Sequence, residues 1–351
     1  MQYIKNLIKY FIGFIFTLLL FETILSFLPV SNPIRTHALL TNDKPFDVRA
    51  TKSTILTFST MSFFNNAIKR KTNSLGFFSD YEYENNASVN FIVGDSQVEA
   101  VQVRFSETFH QIIEKKTNKK MYNIGLSGAP ISQYHAYVNE ICERYKPTNI
   151  FLLIIPNDFK QSLKEHRIRN GWFHYDKSGS LKPTPYEISW YRALANNSSL
   201  IRYLYFNLRI GSLYNNIFRN YAKKELGEIK TLEEKKDIFF KLDKKAINIF
   251  FKSFDPNCVN KRQVLFILDA NRYSEDELGL NVYQNGSAIA SFEYFKEIAK
   301  KNDYDVLDLN EYFKKDYQKN SIKFEASKYD NHWGKYGHKL AAESILKYKK
   351  W

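Results

Sequence analysis

The sequence predicts an α/β fold with a parallel sheet, and three observations carry that prediction. Five strand-length runs rich in apolar and β-branched residues recur along the chain: Val89–Val93, Met121–Ile124, Ile150–Ile155, Val264–Leu268 and Asp305–Leu309. Segments with apolar residues at helical spacing alternate with them, marked by Phe109/Ile112/Ile113, by Ile131/Tyr134/Val138/Ile141 and by the stretch Phe292–Lys300. The first three runs end in turn-forming residues, Gly94-Asp95-Ser96, Gly125-Leu126-Ser127-Gly128 and Pro156-Asn157-Asp158. Strand–helix alternation of this kind predicts a three-layer α/β/α domain whose sheet of about five strands is covered on both faces.

In chain order, Lys5 and Lys9 precede Tyr10–Leu28, which is apolar apart from Thr17, Glu22, Thr23 and Ser26. About 19 such residues can cross a bilayer, and the upstream lysines predict a cytoplasmic N-terminus. Phe27-Leu28-Pro29 lacks the small residues of a cleavage site. Residues 1–29 are therefore expected to remain as a membrane anchor, with the rest of the chain on the non-cytoplasmic, periplasmic side. Glu22 lies inside the span and is expected to be protonated, snorkelled or paired with a membrane partner. Residues 30–88 have polar clusters and no long periodic segment, and read as a lead-in to a main domain at 89–351. Within that domain 160–260 interrupts the alternation. Trp172–Pro183 reads as a hairpin turning at Asp176-Lys177-Ser178-Gly179, 186–221 as aromatic helical material, and Thr231–Phe254 as a charged amphipathic helix. No Pro/Gly-rich linker isolates it, so an inserted lobe packed on the sheet is expected.

The net charge of +14, from 51 Lys+Arg against 37 Asp+Glu, allows an acidic polymer or an anionic lipid as partner. The joint abundance of Lys, Asn, Ile, Phe and Tyr points more to genome composition. No basic block with interleaved aromatics suggests nucleic acid. Cys142 and Cys258 could form one disulfide in an oxidising compartment, but two buried free thiols are the expected reading, and without companion histidine spacing a zinc site is not expected.

The chemistry concentrates at strand ends. Ser96 closes a strand and opens a helical turn, where a backbone N–H faces whatever the hydroxyl attacks. Asp330-Asn331-His332 supplies a base with an orienting carboxylate, which an attacking serine needs. Ser96 is the candidate nucleophile, His332 its base and Asp330 the orienting acid. The Ser96 and Gly125 amides and the Asn157 side chain are candidates for an oxyanion hole. Asp158 reads as structural, Trp333 as a packing residue and His338 as part of the last helix. His110, His135, His166 and His174 lack carboxylates at suggestive spacing.

Gly94-Asp95-Ser96, Asn123-Ile124-Gly125, Asn157-Asp158 and Asp330-Asn331-His332, in that order, resemble the four marks of the SGNH (GDSL) hydrolase superfamily over roughly residues 70–351. Pro156 stands where the family often has Gly-x before Asn-Asp. Asp330 lies two residues before the histidine rather than the common three. Asp-x-His-Trp is similar to the membrane-associated branch that includes the alginate-acetylation proteins. The resemblance implies a flavodoxin-like architecture, no metal or organic cofactor, and serine-dependent chemistry on O-acyl groups, O-acetyl above all, of an envelope glycan. The alternatives it leaves are an O-acyltransferase fed by an integral-membrane partner, and a non-catalytic glycan-binding or assembly subunit.

Overall fold

A computed structural model of the chain describes residues 2–32, 44–47, 52–60, 63–166, 171–185, 190–210, 232–269, 287–327, 330–349 and 351. Of the sequence expectations, parts of the lead-in, the residues 186–189 and 211–221 of the aromatic stretch, and Thr231 lie outside these. The described residues fall into two compact units.

The larger unit is built on a five-stranded sheet of β3 (Asn90–Gly94), β4 (Met121–Gly125), β5 (Asn149–Ile154), β8 (Val264–Leu268) and β9 (Asp305–Asp308); β1 and β2 belong to the smaller unit and β6 and β7 to a hairpin, all four described below. Strand order is β4-β3-β5-β8-β9 and every pairing is parallel. The central strands β3, β5 and β8 read as near-continuous apolar runs because both sheet faces are covered there, whereas the edge strand β9 carries Asp305 and Asp308 and is partly exposed. Side chains alternate between faces. Phe91, Val93, Ile154 and Phe266 join one core with helices α4 (Ile131–Arg144), α8 (Leu232–Ser253) and α9 (Ser287–Lys301). Ile92, Leu153 and Ile267 join a second core with α3 (Phe109–Thr117), α10 (Asn310–Asn320) and α11 (Lys335–Lys349). Two cores on one sheet make the three layers expected.

The first crossover carries the chain from β3 to β4 on one side, and the next returns it to β5 on the other. The direction of winding thus reverses between β3 and β5. In open α/β sheets the crevice outside the carboxyl ends of the strands at such a reversal is the ligand site.

The smaller unit holds α1 (Gln2–Ser26), the paired strands β1 (Ile55–Thr60) and β2 (Asn65–Lys71), α6 (Trp190–Asn197), α7 (Ser199–Arg202) and a single π turn at Tyr203–Asn207. Helix α1 is long and apolar enough to cross a membrane. Its end is tied into the unit: Asn32 N–H donates to the Thr57 carbonyl at 2.7 Å, and Ser59 Oγ donates to the Pro29 carbonyl, also at 2.7 Å.

Residues 160–260 are therefore divided, not one lobe. The β6 (Phe173–Tyr175) and β7 (Leu181–Pro183) hairpin and α8 belong to the larger unit, whereas 190–210 belong with α1. Phe250, Phe251 and Phe254 of α8 pack on Phe266 of β8, so this helix is a layer of the main domain. Periodicity showed an amphipathic helix but not which surface its apolar face covers.

Cys142 and Cys258 form a disulfide with Cα atoms 5.2 Å apart, contrary to the free thiols expected. Each cysteine lies a few residues before the start of a strand, Cys142 before β5 and Cys258 before β8. These strands are adjacent and parallel, with Ile150 opposite Val264, so both thiols arrive at the same sheet end. A bridge spanning 116 residues constrains the unfolded chain strongly. Replacing both cysteines by alanine is expected to lower unfolding stability by about 2–4 kcal/mol, read from the denaturant midpoint. Reductant should shift the parent midpoint equally; an unmoved midpoint would mean the pair is unbridged in the protein.

Candidate active site

Asp95 builds the first part of the site. Its carboxylate accepts from the Gln97 N–H at 3.0 Å, an Asx-type cap that ends β3 and opens α2 (Ser96–Glu99). Ser96 is thereby the first residue of a helical turn at the carboxyl end of β3. Its amide belongs to the helix donors without an intrahelical acceptor. Asp95 is buried, which pushes its carboxyl above the ordinary value. The Gln97 amide, the nearby His332 and the Ser96 hydroxyl pull the other way.

The second part arrives from the C-terminal region. Strand β11 (Asp330–Trp333) pairs antiparallel with β10 (Glu325–Ser327). Trp333 is wholly buried against Phe109 and Phe313. Since neighbours in a strand point to opposite sides, seating Trp333 in the core turns His332 away from it. His332 Nε2 lies 2.8 Å from Ser96 Oγ, and its Nδ1 lies 2.5 Å from Asp330 Oδ1. The same carboxylate oxygen accepts the His332 backbone N–H at 3.1 Å. The two-residue Asp-x-His spacing works for this reason: the carboxylate closes an Asx turn and meets the ring of the residue it caps. Ser96, Asp330 and His332 are all half-buried, so each remains reachable from solvent.

Two glutamines missed in the sequence hold these parts together. Gln97 Oε1 accepts the Trp333 N–H at 3.0 Å, and Gln102 Nε2 donates to the Trp333 carbonyl at 2.9 Å. Both backbone polar groups of Trp333 are tied to the segment that carries Ser96. A glutamine just after a nucleophile gives no signal of this in sequence, because its partner lies 236 residues away. Glu99, also missed, is buried and accepts the Ser127 N–H at 2.9 Å and the Ser127 hydroxyl, fixing the loop after β4.

The candidate oxyanion donors fare differently. The Gly125 N–H donates to Asn123 Oδ1 at 2.8 Å, so the structure engages it within its own strand end rather than leaving it for a ligand. A glycine is required there for space: a Cβ would lie 2.4 Å from the Glu99 nitrogen, where α2 crosses β4. Asn157 follows β5, on the opposite flank of the β3/β5 crevice from that loop. It occupies the N-cap of the short α5 (Asp158–Gln161), yet its side chain makes no capping hydrogen bond. Asp158 organises the turn instead, accepting the Ile155 N–H at 3.0 Å and the Tyr134 hydroxyl at 2.8 Å.

The other sequence candidates are structural. His338 is buried, with its ring stacked on Phe109. His110 and His174 are buried beside threonine hydroxyls, and His135 beside the Tyr175 hydroxyl. Trp172, Phe173 and Tyr175, at the start of the hairpin, are core residues.

Fold and site together define an α/β protein with a Ser–His–Asp relay at the carboxyl edge of a parallel sheet. No family model and no curated protein sequence matches the chain. Similar solved structures include a lipolytic protein of the G-D-S-L family from Veillonella parvula, at 12% identity and a TM-score of 0.38, covering 74% of this chain and 97% of that one. The acetyl xylan esterase AlAXEase gives 14% and 0.40, covering 74% and 98%. A further G-D-S-L lipolytic protein, from Desulfitobacterium hafniense, gives 12% and 0.39, covering 74% and 99%. At such TM-scores this likeness carries no functional weight; the side chains must.

Two outcomes are expected of variants here. Gln97→Met removes the acceptor at nearly constant volume and should lower kcat by about 10²-fold with KM little changed, the cost of a misplaced base; Gln97→Glu, which keeps an acceptor, should recover much of it. Lost stability with kcat unchanged would make Gln97 a packing residue. Asn157→Ala should cost about 10²–10³ in kcat if its amide meets an oxyanion, with the melting temperature unmoved. A lowered melting temperature and normal kcat would make Asn157 a structural residue of the turn after β5.

Proposed function

We propose that the chain is a serine-dependent ester hydrolase acting on O-acyl, chiefly O-acetyl, groups of a cell-envelope glycan. The observation that carries this reading is the continuous relay from Ser96 Oγ through both nitrogens of His332 to Asp330, with separations of 2.8 and 2.5 Å. As Ser96 Oγ bonds to the ester carbonyl carbon, its proton passes to His332 Nε2. Asp330 accepts from Nδ1–H and stabilises the resulting imidazolium. The tetrahedral oxyanion draws on the Ser96 amide and the Asn157 side chain. Its collapse breaks the bond to the sugar oxygen, which leaves with the proton held on Nε2. Water then attacks acyl-Ser96, giving its proton to His332, and collapse of this second intermediate breaks the bond from the acyl carbon to Ser96 Oγ, which takes that proton back from Nε2 as the carboxylic acid leaves.

An exported, membrane-held location agrees with α1 and with the disulfide, since such bridges persist in oxidising compartments. A cavity of about 940 Å³ in the larger unit is lined by Lys177, Lys241, Lys244 and Lys252 with Ser178, Asn139 and Asn248. None of Ser96, Asn157, Asp330 or His332 lines this cavity, so its ammonium groups could hold an acidic sugar chain only away from the attacked ester. Glu22, which would have favoured an acyl-transfer partner in the membrane, is satisfied within the chain (below), and hydrolysis is the simpler reading.

The test is partitioning of the acyl-enzyme. Full-length protein given an acetylated acidic oligosaccharide should release acetate at a rate independent of added unacetylated acceptor, and Ser96→Ala should abolish release with little change in stability. Acceptor-dependent acetylated product with little free acetate would replace hydrolysis by transfer. Equal turnover by Ser96→Ala would remove the serine mechanism altogether.

A further inference from the structure

In the smaller unit, the Glu22 carboxylate accepts three hydrogen bonds from the start of α7: from the Ser198 hydroxyl at 2.7 Å, the Ser199 N–H at 2.7 Å and the Leu200 N–H at 2.9 Å. A carboxylate on a helix N-terminus is the favourable pole of the helix dipole. Arg202 braces the same corner, donating to the Asn196 carbonyl at 2.7 Å, where α6 ends, and to Ser199 Oγ at 2.9 Å. On the inner side, Tyr203 packs on Phe64 of the β1–β2 connection, and Asn207 bonds Ser59 Oγ and the Ser31 N–H. The outer side is apolar. Ile201, Leu204, Tyr205 and Leu208 recur at helical spacing, and all are exposed, Tyr205 by 52%. Leu194 and Trp190 of α6 add to this surface, Trp190 at 76% exposure.

Depth decides what covers it. Helix α1 has 25 residues, roughly 38 Å at about 1.5 Å each, against about 30 Å of hydrocarbon. Glu22 precedes the helix end, Ser26, by four residues, or about 6 Å. If the excess length is shared between both ends, Glu22 falls within about 2 Å of the hydrocarbon boundary. The start of α7 is fixed to that carboxylate, so it sits at the same level. Amphipathic helices that lie in the membrane plane bury their apolar face at this headgroup–acyl boundary, about 5–10 Å deep.

We propose that α6, α7 and the π turn form an interfacial platform, its Trp190/Leu194/Ile201/Leu204/Tyr205/Leu208 face lying among the lipids of the leaflet at the carboxyl end of α1, with Glu22 setting its depth. The proposal rests on α1 spanning the membrane and is independent of the ester chemistry. Trp190 supplies the probe, because Trp172 and Trp333 are buried and Trp351 is half-buried. Full-length protein is reconstituted in phosphatidylcholine–phosphatidylglycerol vesicles carrying bromine at shallow or deep acyl positions. Tryptophan emission should be quenched most by the shallow label, and Trp190→Phe should lose most of that quenching. Glu22→Leu, which keeps the span apolar, should still float with the vesicles but lose quenching as the platform undocks; Glu22→Gln, still an acceptor, should retain more of it. Flotation with no difference between the parent and Trp190→Phe would overturn the platform and leave the anchor standing. Failure to float would overturn the anchor and the platform together. Trp190 quenching that ignores bromine position but follows the protein-to-lipid ratio would give the face to a second copy and likewise overturn the proposal.

Discussion

The seating of Trp333 is the constraint on which the candidate site depends. Its indole fills the core between Phe109 and Phe313, and its backbone N–H and carbonyl are taken by Gln97 and Gln102. The strand repeat then leaves His332 one orientation, toward Ser96. The order of cause matters. The ring does not reach the serine because a catalytic contact pulls it there. It reaches the serine because a neighbouring side chain is buried elsewhere and the backbone between them is held at both polar atoms. Asp330 needs no separate positioning, since the turn that its carboxylate closes belongs to the same four residues. A relay of three side chains thus reduces to one packed tryptophan and a short strand.

Much of this was legible in the sequence, and the reasons are physical. Strands covered on both faces read as near-continuous apolar runs, so the central runs and their interleaved helices announced a parallel sheet, while the edge strand β9 kept Asp305 and Asp308. Ser96, Asp330 and His332 could be singled out because a serine closing a strand and an Asp-x-His pair are recognisable in sequence, and the structure brings the three within hydrogen-bond distance. What stayed hidden depends on partners remote in the chain. Gln97 and Gln102 are ordinary glutamines until β11 is laid beside them. Gly125 was expected as an oxyanion donor from its place after a strand, but its own neighbour Asn123 takes the amide and steric crowding by Glu99 explains the glycine. The division of 160–260 was hidden too, since α8 and the 190–210 segment both look amphipathic and only the surface each one meets separates them.

The sheet divides its ends between stability and chemistry. Cys142 and Cys258 bridge the amino ends of β5 and β8, whereas Ser96 and Asn157 follow the carboxyl ends of β3 and β5. A covalent bridge at one end restricts the unfolded chain without intruding on the loops that carry Ser96 and Asn157 at the other. The reversal of winding opens the crevice between β3 and β5. The two residues offered for attack and for oxyanion binding therefore flank one gap, and the topology brings them there without any long-range polar contact between them.

Glu22 changes meaning once its partners are known. A lone carboxylate at the centre of a span costs about 2.5–3.5 kcal/mol on insertion scales, which made a partner in the membrane an attractive explanation. Three donors from the start of α7 meet that carboxylate, and hydrogen bonds to a charged group contribute about 1.5–3 kcal/mol each. Near the hydrocarbon boundary the desolvation they must offset is smaller than at the centre. The acid is then better understood as the link between α1 and the helices at its end than as a site awaiting another protein. In the proposed arrangement α1 stays attached, because its removal would leave the start of α7 without the Glu22 carboxylate. The same three hydrogen bonds give Glu22 partners inside the chain, so its place in α1 calls for no acyl-transfer partner.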